Sequence, residues 1–495
     1  MQIPLGIIDL IVLVIAMAAS VMIGLTIAGR NKSVESYLLG DRNLPWWAIL
    51  GSIVATETSA ATVLSVPGIG YGATGFAFLQ LALGYILGRL IVVVFLLPNY
   101  FSGNIVSAYE ILRKQFGTTT TRLASMLFLV TRNLGDGLRL YLAAMVLEQL
   151  VGWPIIPSAL AIGGVTLLYT YFGGMRSVVW NDCIQLVIYL SGCIVAAILL
   201  VRMLPNGWAT YSEYMDAAGK WNWIDFDMSL KKPYTLFAGL VGGTFLSLGS
   251  HGTDQIMVQR YLSAKSSKHA AVAILTSGIF VFLQFALVLW IGTLLGAFHV
   301  ANPLPEGIKD DKVFSYFITH YFPTNTGLIG LMLAAILAAT MSTLSSSLSS
   351  SASSAYSDLW LTSLKNQPSE ASKMWFTRFA TMVFGVVQIG IGIWASTFSN
   401  SVVNNALTIA GFSSGVLLGW FFLGLFQPQI GQRAAIAGGG LGLVVLLWIQ
   451  FVLNKPDDVQ ISFPWLSCIG SLVTFASASY LSYLPALKTS KNTTV

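Results

Sequence analysis

The chain has 495 residues, of which 55% are hydrophobic and 9% charged, and its mean hydropathy is +0.74. A soluble domain carries roughly a quarter charged residues, so this composition excludes a soluble globular protein and defines an all-α polytopic membrane protein solvated by a lipid bilayer. The net charge of +6 does not indicate nucleic-acid binding, because the basic residues follow membrane topology instead. Cys183, Cys193 and Cys468 lie in apolar segments without metal-ligand or disulfide spacing.

Segments of about 20 apolar residues are long enough to span a bilayer. About thirteen can be placed, near 6–28, 44–66, 73–98, 122–150, 154–172, 178–203, 235–260, 269–298, 327–357, 374–396, 402–424, 432–453 and 462–483. The first, Ile7 to Ile27, lacks a basic stretch before it and reads as a span rather than a cleavable signal peptide. Connections are short except around 204–234 and 299–326. With the N-terminus outside, sixteen basic residues fall in inner loops, Arg30, Lys32, Lys488 and Lys491 among them. Only six, Lys220, Lys231, Lys232, Lys309, Lys312 and Lys455, fall in outer ones. That asymmetry predicts an external N-terminus and a cytoplasmic C-terminus.

Ionisable groups cost about 2.5–3.5 kcal/mol each at the centre of a span, so each needs a partner or a task. The second span places Glu57 among Thr56, Thr58, Ser59 and Thr62 at mid-depth. Broken membrane helices free carbonyls for cations and half-helix ends for substrates. No glycine or proline marks a break here, and a protonated Glu57 bonded between helices is the alternative. In the fourth span Arg132 and Asp136 are i,i+4, and Asp136 and Arg139 are i,i+3. They form either a self-neutralising ladder or a site with one guanidinium spare for a substrate carboxylate, beside Gly135 and Gly137. The sixth span opens GGMRSVVWNDCIQ, where Asp182 either pairs with Arg176 at the interface or serves a site. His251 and Asp254, late in the seventh span, read as surface-facing caps.

The ninth span turns from apolar residues into serine and threonine without a charge or proline. Ser342, Ser345, Ser346 and Ser349 share one helical face, with Thr343 at its edge. Neutral oxygens in an oily segment can replace the water of a small hard cation; tight helix packing or a linker are the other readings. Together these features fit an inverted repeat of five helices in each half, spans 2–6 and 7–11, with sites at the midplane between them. The core repeats then cover about 44–203 and 235–424, with peripheral helices near 6–28, 432–453 and 462–483.

The stretches SVESYLLGDRNLPWWAILGSIVATETSA, SAYEILRKQFG, GGMRSVVWNDCIQ, VQRYLSAKS and GLMLAAILAATMSTLSSSLSSSASSAYSDL, in that order, resemble the sodium:solute symporter family. That family includes the sodium/glucose, sodium/proline, sodium/pantothenate and sodium/sialic acid transporters, and the likeness runs from Ser33 to Phe426. It implies a leucine-transporter-like inverted-repeat core and Na+ as the bound ion. By resemblance the first sodium is held by carbonyls of Ala55, Thr58 and Ala339 and side chains of Ser342 and Thr343. A second would use Asp182 with Ser342, Ser345 and Ser346. Glu57 stands where sodium/proline relatives carry an acid, and is a sodium- or substrate-linked candidate or a proton carrier. Asn181 departs from the usual threonine, and the Arg132–Asp136–Arg139 array is not a general family feature. Substrate contacts are expected from Thr56, Glu57, Ser59 and Thr62, with Gln80, Asp136 and Arg139.

The expected function is sodium-coupled symport of a small polar solute, an organic anion or zwitterion first and a sugar next. A proton-coupled carrier of the same fold and a non-transporting sensory module are the rivals. An enzyme is not expected, since the spans carry no nucleophile–base pair, metal-ligand cluster or phosphate loop.

Overall fold

The computed structural model describes residues 5–28, 33–398, 400–455 and 458–484. Arg30, Lys32, Lys488 and Lys491, which contribute to the charge asymmetry, lie outside the described residues. Among those described the protein is helical, with two isolated β-bridges, Leu44 to Ala264 and Lys455 to Asp458.

In chain order, α1 is Ile7–Ala28, α2 Trp46–Glu57, α3 Ala60–Tyr71 and α4 Leu79–Tyr100. Then come α5 Thr118–Val151, α6 Ile155–Met203 and α7 Trp208–Ala217. They are followed by α8 Thr244–Gly252, α9 Gln255–Leu262, α10 Ser267–Ala301 and α11 Leu328–Ser354. The last are α12 Glu370–Ala395, α13 Asn400–Phe426, α14 Gln432–Trp448 and α15 Pro464–Leu481. These helices cover every segment expected to span, although length and apolarity alone qualify seven helices plus one bent pair among the described residues. At 49 residues α6 is about 74 Å long, far more than one crossing of a ~30 Å core. It bends at Gly174, whose φ of 59° and ψ of −158° no helix accommodates. A β-carbon there would lie 2.5 Å from the Tyr37 carbonyl oxygen, so the bend and the close approach both require glycine.

Two more helices are broken and restart at a polar cap, the first with no glycine or proline at the break. Between α2 and α3 the axis turns by 67°, with Thr58 and Ser59 in extended conformations. The Ser59 hydroxyl accepts from the Thr62 amide, and the Thr62 hydroxyl accepts from the Ser59 amide. That capping box restarts the helix after the break. Between α8 and α9 the Asp254 carboxylate caps Ile256 at 2.9 Å. The second and seventh spans, which open the two expected repeats, are therefore the two interrupted at a polar residue.

At the centre stands α11, buried without interruption from Met332 to Ser354. A helix buried all round belongs to the middle of a bundle, and α6, α1, α5, α12 and α2 pack against it. Asp9 of α1 fixes its start by accepting from the amides of Asn325 and Gly327 at 2.7 and 2.8 Å. The outer helices turn apolar side chains outward, among them Val130, Val187 and Val444.

Candidate functional site

The break after α2 faces the middle of α11. Thr343 Oγ1 lies 3.4, 3.3 and 3.2 Å from the carbonyl oxygens of Thr56, Thr58 and Ala339. The Ala55 carbonyl accepts from the Thr58 amide at 3.2 Å. The Thr58 hydroxyl turns back onto Val54, and Gln284 donates to it at 2.8 Å. Thr58, Ala339 and Thr343 thus converge as oxygen donors with no net charge, and Ser342 lies beside them with its hydroxyl on Asp182. This hard, neutral donor set fits a sodium ion. Beside it a cavity of about 130 Å³ is lined by Ser59, Arg139, Thr340 and Thr343.

Asp182 is fully buried and does not pair with Arg176, which reaches Asp41 at 2.8 Å instead. Its partner is Arg260 of α9, with Nη2 2.9 Å from Oδ2. Arg260 also donates to Ser52 at 2.7 Å, to the Ile256 carbonyl at 2.8 Å, to Thr56 at 2.5 Å and to Ser346. Ser52 and Ser342 donate to the same carboxylate at 2.5 and 2.6 Å. Ser345 and Ser346 donate back to the Ser342 carbonyl at 3.1 and 2.6 Å. The residues expected for a second sodium are assembled here, but a guanidinium already balances the acid. Sequence reasoning missed Arg260; its signal was a basic residue in VQRYLSAKS, close behind the second break.

Glu57, the last residue of α2, meets Arg89 of α4 at 2.5 and 2.7 Å through its two oxygens. His251 Nε2 of α8 lies 3.0 Å away, and its Nδ1 is 2.8 Å from the Tyr261 hydroxyl. His251 is therefore a buried partner of Glu57, not a surface cap; the expectation failed because its partner is 194 residues distant in sequence. Asp254 does cap a helix, but at a break inside the seventh span and 3.6 Å from Arg132, not as the surface-facing cap expected.

The ladder forms in α5, with Arg132 and Arg139 on opposite oxygens of buried Asp136 at 2.7 and 2.5 Å. Arg139 keeps 41% of its side chain exposed. A cavity of about 320 Å³ lies between this ladder and the second break, lined by Arg132, Arg139, Ser250, Thr253, Asp254 and Ser414. Of the expected substrate contacts, Ser59 and Arg139 share the smaller cavity, while Thr62 completes the capping box. Thr56 is engaged with Arg260 and Ser346. Gln80 turns towards the long loop, donating to Tyr234 at 3.0 Å and accepting from Asp225 at 2.9 Å.

A broken helix pair facing a hydroxyl-rich central helix, with a second interruption at Asp254, is the arrangement of a secondary transporter of the ion-coupled kind. The sodium:solute symporter family profile matches residues 37–442, and the chain belongs to that family. It is 27% identical over 471 residues to sodium-coupled monocarboxylate transporter 2 of Mus musculus, covering 92% of this chain and 75% of that protein. It is 28% identical over 455 residues to the Homo sapiens sodium/iodide cotransporter, covering 90% and 70%. A solved Na+-coupled sialic acid symporter, in a substrate-bound outward-open state, matches with a TM-score of 0.87 at 25% identity. That match covers 96% of this chain and 98% of the other.

Proposed function

We propose that the protein couples inward movement of sodium to uptake of a small organic anion or zwitterion. The observation that carries this reading is the meeting of Thr343 with the Thr56, Thr58 and Ala339 carbonyls. Sodium held there ties the broken helix to α11, and a ligand that binds one arrangement better than another shifts the population towards it. Substrate and sodium then strengthen each other's binding reciprocally. One sodium entering down ~100 mV supplies about 2.3 kcal/mol before any concentration term. The membrane potential and sodium gradient set that direction; in this reading the N-terminus is outside, the C-terminus is in the cytoplasm, and repeats near 44–203 and 235–424 form the moving core.

Arg139 supports an anionic or zwitterionic substrate, since it borders both cavities and is half-exposed. The relatives named for monocarboxylate, iodide and sialic acid carriage agree with an anion. A sugar is the second reading, supported by Asp254, which with Asp136 balances the two arginines. Against proton coupling, Glu57 and Asp182 each already hold a guanidinium, so neither needs a proton for charge balance. Uptake into proteoliposomes, with a sodium gradient or with a pH gradient in sodium-free buffer, tests the coupling. Full uptake on the pH gradient alone overturns it. A thermal-shift screen of carboxylates, amino acids and sugars with and without sodium identifies the solute, because ligands of the folded state stabilise it.

A further inference from the structure

The serine face of α11 does not end at the sodium-site residues. Beyond α11 the helix continues as a wider turn, Ala355–Trp360, which carries Asp358. Asp358 lies twelve residues past Ser346, about 18 Å further along the axis towards the end that the charge asymmetry makes cytoplasmic. It is completely buried, as are Ser107, Ser125 and Ser354 around it. Ser107 and Ser354 donate to its Oδ2 at 2.7 and 2.9 Å. Ser125 bonds Ser354 at 2.7 Å. The other oxygen, Oδ1, has no hydrogen-bond partner among the described residues.

No basic side chain pairs with Asp358 among the described residues; Glu110, the charged group beside it, is also an acid and is taken by Arg113 at 3.0 Å. A buried carboxylate needs a positive partner or a proton. A proton on Oδ2 requires Ser107 or Ser354 to give up its donated bond and turn to accept instead. A proton on Oδ1 becomes a buried donor without an acceptor, which is costly. A small hard cation at Oδ1 needs no acceptor, and the hydroxyl oxygens of Ser107, Ser125 and Ser354 are ligands of the type it takes. We infer that Asp358, with Ser107, Ser125 and Ser354, forms a further sodium-binding site at the cytoplasmic end of the central helix. It is separate from the oxygens at Thr343 and Asp182, and holds the ion where it enters or leaves the inner solution.

Binding of radioactive sodium to the purified full-length protein tests this, with potassium and choline chloride as ionic-strength controls. In Ser342→Ala/Thr343→Ala protein a weaker sodium-specific component should persist. Adding Asp358→Asn should remove it, lowering the parent stoichiometry by one ion. Ser107→Ala/Ser354→Ala, which leaves the charge in place, should weaken the same component at least tenfold and serves if the asparagine variant does not fold. Unchanged stoichiometry and affinity in Asp358→Asn overturns the inference, because a carboxyl that is simply protonated is mimicked by asparagine. Sodium binding lost entirely with Ser342 and Thr343 also overturns it but leaves the proposed coupling intact. A parent that binds no sodium overturns both.

Discussion

Removing the charge of Asp182 should unbalance the most enclosed ion pair among the described residues. The side chains of Arg260 and Asp182 are 1% and 0% exposed, and the guanidinium reaches five oxygens in all. In Asp182→Asn the amide oxygen still accepts from Ser52 or Ser342, so few hydrogen bonds are lost. What remains is a buried cation without its counter-charge, which costs about 3–5 kcal/mol. Arg260→Gln should cost a similar amount by stranding the acid. The double variant removes both charges and should recover most of the loss, giving a coupling energy of about 3 kcal/mol or more in a double-mutant cycle. Thermal unfolding in detergent, in potassium to avoid sodium linkage, measures the cycle. Additive single and double effects would refute the pairing argument. The same variants report on sodium: because Arg260 already balances the acid, Asp182→Asn should spare the Thr343 site and leave the number of sodium ions carried per solute unchanged. Arg260→Gln should raise sodium affinity at least tenfold, because the stranded carboxylate then needs a cation.

Ser342→Ala together with Thr343→Ala should raise the sodium concentration for half-maximal uptake about tenfold or more, the equivalent of about 1.4 kcal/mol. An unchanged sodium dependence removes both from the site. Arg139→Met should raise the half-saturating concentration of a carboxylate substrate at least tenfold with little change in sodium dependence, read from uptake assays; equal uptake by parent and variant favours a sugar. Lys220, in the loop between α7 and the seventh span, donates to the Gly70 and Tyr71 carbonyls at 3.3 and 2.6 Å and to Tyr214 at 2.8 Å. Burial pushes its ammonium down from 10.5 to about 8, partly offset by Asp310. The unfolded chain then holds that proton more tightly, so this group's contribution to stability rises as pH climbs from about 8 to 10.5, by a few kcal/mol at most. The melting temperature of the parent relative to Lys220→Met should therefore increase over that window, and a decrease would reverse the sign of the argument.

The membrane-spanning helical character was legible because a span needs about 20 apolar residues in a row, and the central helix because its apolar run passes into serine without a stop. The first break was legible only as misplaced polarity at Thr56–Thr62, since the devices that make it are hydrogen bonds between Ser59 and Thr62 that a membrane-span pattern conceals. The second break was not legible, for Asp254 fits a surface cap as well as the cap of an interrupted helix. Least readable were the pairings. Arg260 to Asp182 and Arg89 to Glu57 join residues 78 and 32 positions apart, and no local spacing distinguishes these arginines from Arg176, the partner in one of the two readings of Asp182. Burial requires that a charge be paired; only the packing of the bundle decides with which partner.

The Glu57 cluster gives the two breaks a mechanical relation. Glu57 ends α2 at the first break, and His251 lies one residue before the end of α8 at the second. Their contact at 3.0 Å, backed by Arg89, is shielded from water on the imidazole side. Separating the breaks therefore means breaking a charge-assisted contact in a low-dielectric setting, which is expensive. If the halves rock against each other, the pair either moves as one body or opens only in one state. Glu57→Gln keeps the shape and weakens the link, so it should change the maximal rate of uptake more than the sodium concentration for half-maximal uptake. A shift in sodium dependence with an unchanged maximal rate would place Glu57 at the ion instead of between the breaks.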